Sequence, residues 1–115
     1  MSLIFQVSDF EQDVVATSRR VPVLVDFWAE WCMPCQPLFQ VLEDLVEVGA
    51  GSFLLAKVDV EANPDVASRL GVTSLPAITL YSNGEAVEGM AGTMAKMQIK
   101  ALLSRHLDGW DSDGA

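Results

Sequence analysis

Trp31-Cys32-Met33-Pro34-Cys35-Gln36 holds both cysteines of the chain, three positions apart, and its surroundings decide how the rest is read. Ahead of it, Pro22-Val23-Leu24-Val25-Asp26-Phe27-Trp28-Ala29 is apolar almost throughout, the pattern of a strand in a sheet covered on both faces. Behind it, Leu38, Val41, Leu42, Leu45 and Val46 recur at helical spacing. The pair is therefore expected where a strand ends and a helix begins. The first N–H groups of a helix are unpaired and its peptide dipoles favour negative charge there. Cys32, placed at or near the N-cap, is thus expected to be the more nucleophilic thiol, with Cys35 one turn further in and more shielded. The spacing puts both sulfurs on one helix face, within reach of a small disulfide ring. In this reading Cys32 attacks and Cys35 resolves.

A chain of 115 residues, half of them hydrophobic, is one domain able to bury a core without extra staples. Its 16 acidic residues against 7 Lys and Arg give a formal charge of -9. That balance argues against nucleic acid or anionic membranes as partners and favours proteins with neutral or basic patches. No apolar run approaches the roughly 18 residues that span a bilayer, and the N-terminus lacks a basic segment followed by an apolar one. A cytoplasmic location and a monomeric state are expected. Two cysteines in C-x-x-C spacing point to redox chemistry in a reducing compartment rather than to a secreted disulfide framework.

In chain order, Ile4 to Val7 reads as a short first strand. Ser8 with Glu11 three residues later has the form of a capping box, opening a helix through Ser18. Pro22 fits the first residue of a strand. Pro34 and Pro37 fall in the first turn or so of the second helix, where a missing N–H costs little, and Gly49 and Gly51 are expected to end that helix. Phe53 to Asp59 reads as the next parallel strand, and Asn63-Pro64 opens a short helix that Gly71 closes. Ala77 to Tyr81 alternates toward Asn83-Gly84, a strong hairpin signal, with Ala86 to Met90 returning as the edge strand. A last helix from about Thr93 to Leu107 puts Ile99, Leu102, Leu103 and His106 on one face. His106, the sole histidine, is expected on the solvent side without a catalytic role. Residues 1–107 form the domain, and 108–115, rich in Asp and Gly, are expected to be a flexible acidic tail.

Val25-Asp26-Phe27-Trp28-Ala29-Glu30-Trp31-Cys32-Met33-Pro34-Cys35 resembles the active-site segment of the thioredoxin family, and Lys57-Val58-Asp59, Gly71 to Pro76, Asn83-Gly84-Glu85 and Gly92 fall at that family's intervals. The resemblance implies an α/β thioredoxin fold, with a central mixed five-stranded sheet flanked by four helices. It implies a thiol-disulfide oxidoreductase that reduces protein disulfides, restored by a flavin-containing, NADPH-dependent thioredoxin reductase and carrying no cofactor site of its own. Asp26 would lie behind the disulfide and move a proton to or from Cys35, tuned by Lys57 on the neighbouring strand. Independently of the family, a carboxylate within so apolar a run is expected to be buried and its pKa raised. Leu75-Pro76 would be a cis bond facing the disulfide. The substrate would lie across Trp31, Met33, Pro34, Leu75, Pro76 and Gly92.

Two departures from the family pattern bear on the redox chemistry, and a third on how straight the second helix is. Met33 stands where the family usually has Gly, Gln36 where a Lys is frequent, and Gln40 where a kinking Pro is usual. Loss of the cation at position 36 removes one stabiliser of the Cys32 thiolate, so a reducing couple is expected. Met33 is expected at the substrate rim with Met94 beside it, while Met90 and Met97 are expected to pack inside. A binding or subunit module with little redox turnover is the rival reading. Metal binding is disfavoured because structural zinc wants four ligands and the chain offers two cysteines and one distant histidine.

Overall fold

Strand β2 (Val23–Trp28) is central because its side chains are apolar on both sides and can be buried only if both faces of the sheet are covered. It pairs in parallel with β3 (Leu54–Asp59) and antiparallel with β4 (Ala77–Ser82). Outside β3 lies β1 (Ile4–Gln6), parallel to it, and outside β4 lies β5 (Glu85–Ala91), antiparallel. The order β1-β3-β2-β4-β5 makes the expected mixed five-stranded sheet. The computed structural model describes residues 2–108; Trp110 and nearly all of the expected acidic tail lie outside them.

Helices α1 (Cys35–Gly49) and α3 (Lys96–His106) cover one face of the sheet. Leu38, Leu42, Leu45 and Val46 of α1 and Ile99, Leu102 and Leu103 of α3 pack on Leu24, Leu55, Ile78 and Leu80. The other face carries Val23, Val25, Phe27, Ala56 and Val58, covered by Val7, Phe10 and Val14. The short α2 (Pro64–Arg69) has Pro at its start, as expected, and Gly71 follows it at φ +72°. Asn63 does not cap with its side-chain oxygen; its Nδ2 instead donates to the Asp59 carbonyl.

The first helix is not α-helical. Glu11–Ala16 forms a π-helical turn, continued by a 3-10 turn at Thr17–Arg19. The Ser8–Glu11 capping box does not form. Asp13 reaches back to accept from the backbone N–H groups of Ser8 and Asp9, and Asp9 accepts from Gln12 N–H. The wider π turn moves the backward-reaching carboxylate beyond the third position. Backbone donors from Asp9 and Ser8 hold the Asp13 carboxyl below its ordinary value.

The end of α1 falls at the expected glycines. Gly49 is the last helical residue, and Ala50 takes the left-handed conformation at φ +49°. An L residue with a Cβ pays a steric penalty there that glycine escapes. Ala50→Gly is therefore expected to stabilise the protein by roughly 0.5–1 kcal/mol, read as a higher urea midpoint at unchanged slope. A lower midpoint would refute it.

The Asn83-Gly84 hairpin forms as expected, both residues having positive φ. Gly84 N–H donates to Ser18 Oγ and Asn83 N–H to the Ser18 carbonyl, which ties the turn to the first helix. The strand β5 shifts register opposite Leu80/Tyr81. Its Glu88 accepts from Arg105 and lies 2.8 Å from His106 Nε2, fastening the end of α3 to the sheet edge. Those hydrogen bonds, from Arg105 first and then His106, hold the Glu88 carboxyl down at about 2. Helix α3 begins at Lys96, three residues later than expected. Met97, in its first turn, is 62% exposed rather than packed, whereas Met90 packs on the core as expected.

Candidate active site

Alternation along β2 puts Leu24, Asp26 and Trp28 on one face, the face on which Leu24 packs against α1. The same alternation along β3 puts Leu55 and Lys57 on that face, and the register sets Asp26 directly beside Lys57. Helix α1 starts above them, so the sequence positions a carboxylate beneath the first residue of a helix. That residue is Cys35.

Cys32 and Cys35 form a disulfide, with sulfurs 2.08 Å and Cα atoms 5.4 Å apart. The helix starts later than the sequence suggests. Pro34 takes the position before its first residue, and Cys32 lies on the preceding turn, its N–H donating to the Ala29 carbonyl. Cys35 N–H donates to the Cys32 carbonyl and Gln36 N–H to that of Met33. The expected contrast in shielding is absent in this oxidised form, both cysteines being 3% exposed. Neighbours distinguish them instead. Both pack with Ala29, Trp28, Val60 and Leu75, but Cys35 alone lines the cleft that leads to Asp26.

That cleft, of about 350 Å³, is bounded by Asp26, Trp28, Glu30, Cys35, Phe39 and Lys57. Asp26 is fully buried, and neither of its oxygens has a hydrogen-bond partner among the described residues; the same holds for Trp28 Nε1. Burial pushes the Asp26 carboxyl up to about 7, with the Lys57 charge opposing the rise. Asp26 and Lys57 form no ion pair. The Lys57 ammonium stands 3.8 Å from the Phe39 ring centroid and 4.8 Å from that of Trp28.

The disulfide is flanked by two apolar grooves. One, of about 490 Å³, is lined by Trp31, Val60, Ala67, Val72, Thr73 and Leu75. A second, of about 250 Å³, is walled by Pro34, Pro37, Pro76 and Met94. Trp31 is 63% and Met33 78% exposed, the two most exposed large apolar side chains described. The Leu75-Pro76 bond is cis, as the resemblance implied. Gly92 N–H donates to the Pro76 carbonyl, and φ of +85° at Gly92 favours glycine although a Cβ there would meet nothing. The fold thus gathers the expected site residues around one disulfide. Phe39 and Glu30 line the cleft and Val60 the groove without having been expected from the sequence. Phe39, at i+4 from Cys35 on one helix face, carried a signal that was open to use.

A thioredoxin family model matches residues 2–105. The chain is 37% identical over 109 residues to thioredoxin 1 of Nostoc sp., covering 93% of this chain and all of that protein. It is 32% identical to the thioredoxin of Haemophilus influenzae over 107 residues, again 93% of this chain and all of that one. Against the thioredoxin of Alicyclobacillus acidocaldarius it is 41% identical over 83 residues, 72% of this chain and 79% of that protein. The chain belongs to the thioredoxin family. With its closed Cys32–Cys35 pair, this thioredoxin-family protein is a thiol-disulfide oxidoreductase that reduces protein disulfides. No helix among the described residues is long and apolar enough to cross a membrane. Where thioredoxins usually have a kinking proline, Gln40 lies inside an unbroken α1.

Proposed function

We propose that Cys32 is the attacking sulfur, Cys35 the resolving one and Asp26 the proton acceptor in a cycle that drives electrons from this protein to substrate. The observation that carries the reading is the position of the disulfide, between two apolar grooves on its outer side and the Asp26 cleft behind Cys35. The Cys32 thiolate attacks one sulfur of a substrate disulfide, forming a mixed disulfide and releasing the first substrate thiolate. Asp26 takes the proton from the Cys35 thiol, and the Cys35 thiolate attacks Cys32 Sγ. The Cys32–Cys35 bond forms, the mixed disulfide breaks, and the second substrate thiolate leaves. The substrate gains two electrons and the protein loses two.

A carboxyl poised at about 7 suits this exchange, because it takes up and gives back a proton near neutrality. Lys57 tunes it from the next strand. An extended substrate segment would lie across Trp31, Met33, Pro34, Leu75, Pro76 and Gly92, held by backbone pairing and apolar contact that tolerate many sequences. Met33 adds adaptable apolar surface at the rim. A thioredoxin reductase, drawing on NADPH through flavin, restores the dithiol, and a reducing cytoplasm suits that direction of flow. Insulin-disulfide reduction compared between the parent and Cys32→Ser tests the reading. Loss of turnover is expected; equal rates would favour a binding module with little redox activity.

A further inference from the structure

Lysine 57 is placed to neutralise Asp26 and does not. The two residues are register partners on adjacent strands, about 5 Å apart at the backbone, with side chains on the same face of the sheet. A lysine stem is long enough to bring its ammonium onto that carboxylate, and an unpartnered buried carboxyl is a strong attractor. Yet the Asp26 oxygens have no hydrogen-bond partner among the described residues. The ammonium lies instead 3.8 Å from the centre of the Phe39 ring and 4.8 Å from that of Trp28. Cations are drawn to such ring faces by the aromatic quadrupole, more strongly where water is partly excluded.

We propose that Phe39 is a positioning residue for the exchange reaction: with Trp28 it clasps the Lys57 ammonium between two ring faces and keeps it from closing an ion pair with Asp26. This rests on the role of Asp26 as proton acceptor. A carboxylate locked to an ammonium would be a poor base, because the partner stabilises its charged form. A carboxyl facing only the more distant cation stays able to change protonation near neutrality. The other groups around Asp26 do not supply an alternative. Cys35 faces it from α1, Glu30 lines the same cleft from the turn beyond β2, and Asp59 follows Lys57 on β3. On β4 its register partner is the neutral Ile78. Lys57 is the one cation among the residues lining the cleft.

Phe39 also packs against the main core, so a loss of activity in a Phe39 variant would not separate the clasp from filling. The test is a carbon NMR titration of the Asp26 carboxyl in the oxidised protein. Phe39→Leu is expected to free Lys57 toward Asp26 and lower the midpoint by about one pH unit. Phe39→Trp, which keeps an aromatic face, is expected to hold the midpoint near the parent's. In a Lys57→Met background, Phe39→Leu is expected to move nothing. A midpoint unchanged or raised by Phe39→Leu overturns the proposal, as does an equal fall without Lys57. If Phe39→Leu fails to fold, a fall of the same size in Phe39→Trp overturns it as well. The Asp26 reading is judged separately by the pH profile of insulin reduction in Asp26→Asn. A profile unchanged from the parent's sinks that reading, whatever the titration shows.

Discussion

Cys35→Ser is expected to turn a catalyst into a trap. The variant keeps Cys32 on the turn ahead of α1, with its N–H bonded to the Ala29 carbonyl, so attack on a substrate disulfide proceeds. Nothing within the molecule then displaces the substrate. In the parent the Cys35 sulfur, proposed to resolve, lies on the next turn of backbone, 5.4 Å away between Cα atoms, and such proximity corresponds to a very high effective concentration. Against millimolar external thiol, losing it is expected to slow turnover by about 10³-fold or more. The check is twofold: insulin reduction falls by that amount, and a covalent adduct sensitive to reductant accumulates by mass spectrometry. Turnover within tenfold of the parent would show that Cys35 is not the resolving sulfur.

The second large effect concerns stability and its dependence on pH. The folded Asp26 carboxyl is raised from 3.8 to about 7 by burial. Below the unfolded value both states are protonated and the residue adds no pH-dependent cost. As pH rises from about 4 to about 7, the unfolded chain loses its proton while the folded protein keeps it, so stability falls. Above about 7 both are ionised and the penalty is constant, on the order of 4 kcal/mol. Asp26→Leu is expected to remove this dependence. Its advantage over the parent in urea unfolding of the oxidised protein should be on the order of 4 kcal/mol larger at pH 8 than at pH 3.5. An advantage that stays level across that range would mean that Asp26 is not desolvated in the folded state. The carboxyl proposed as proton acceptor therefore weakens the scaffold at neutral pH.

Much of this architecture was legible because local chemistry and global fold agree. The apolar run through β2 demanded a covered sheet, Asn83-Gly84 demanded a tight hairpin, and the leucines of α1 marked its buried stripe. The places where the structure differs share one feature: the decisive contact is local, but it is chosen by a backbone geometry that the residue types do not announce. A Ser and a Glu three apart signal a capping box, but whether Asp13 outcompetes them depends on a π turn that no residue announces. Gly49 and Gly51 marked the end of α1, but nothing in residue type marked Ala50 between them as left-handed. The start of α1 at Cys35 rather than near Cys32 follows from the turn bonded to the Ala29 carbonyl. At the site, burial of Asp26 could be read from its apolar neighbours, and its nearness to Lys57 from the family pattern. The Lys57 ammonium between two rings could not, because it depends on where α1 crosses the sheet.

The turn that bears Cys32 is fastened by backbone hydrogen bonds at Ala29 and Cys35, and neither bond involves sulfur. Opening the bridge breaks neither, so the backbone that holds the two sulfurs close does not depend on the bond between them. A carrier anchored in this way is expected to be emptied and refilled many times without risking its fold.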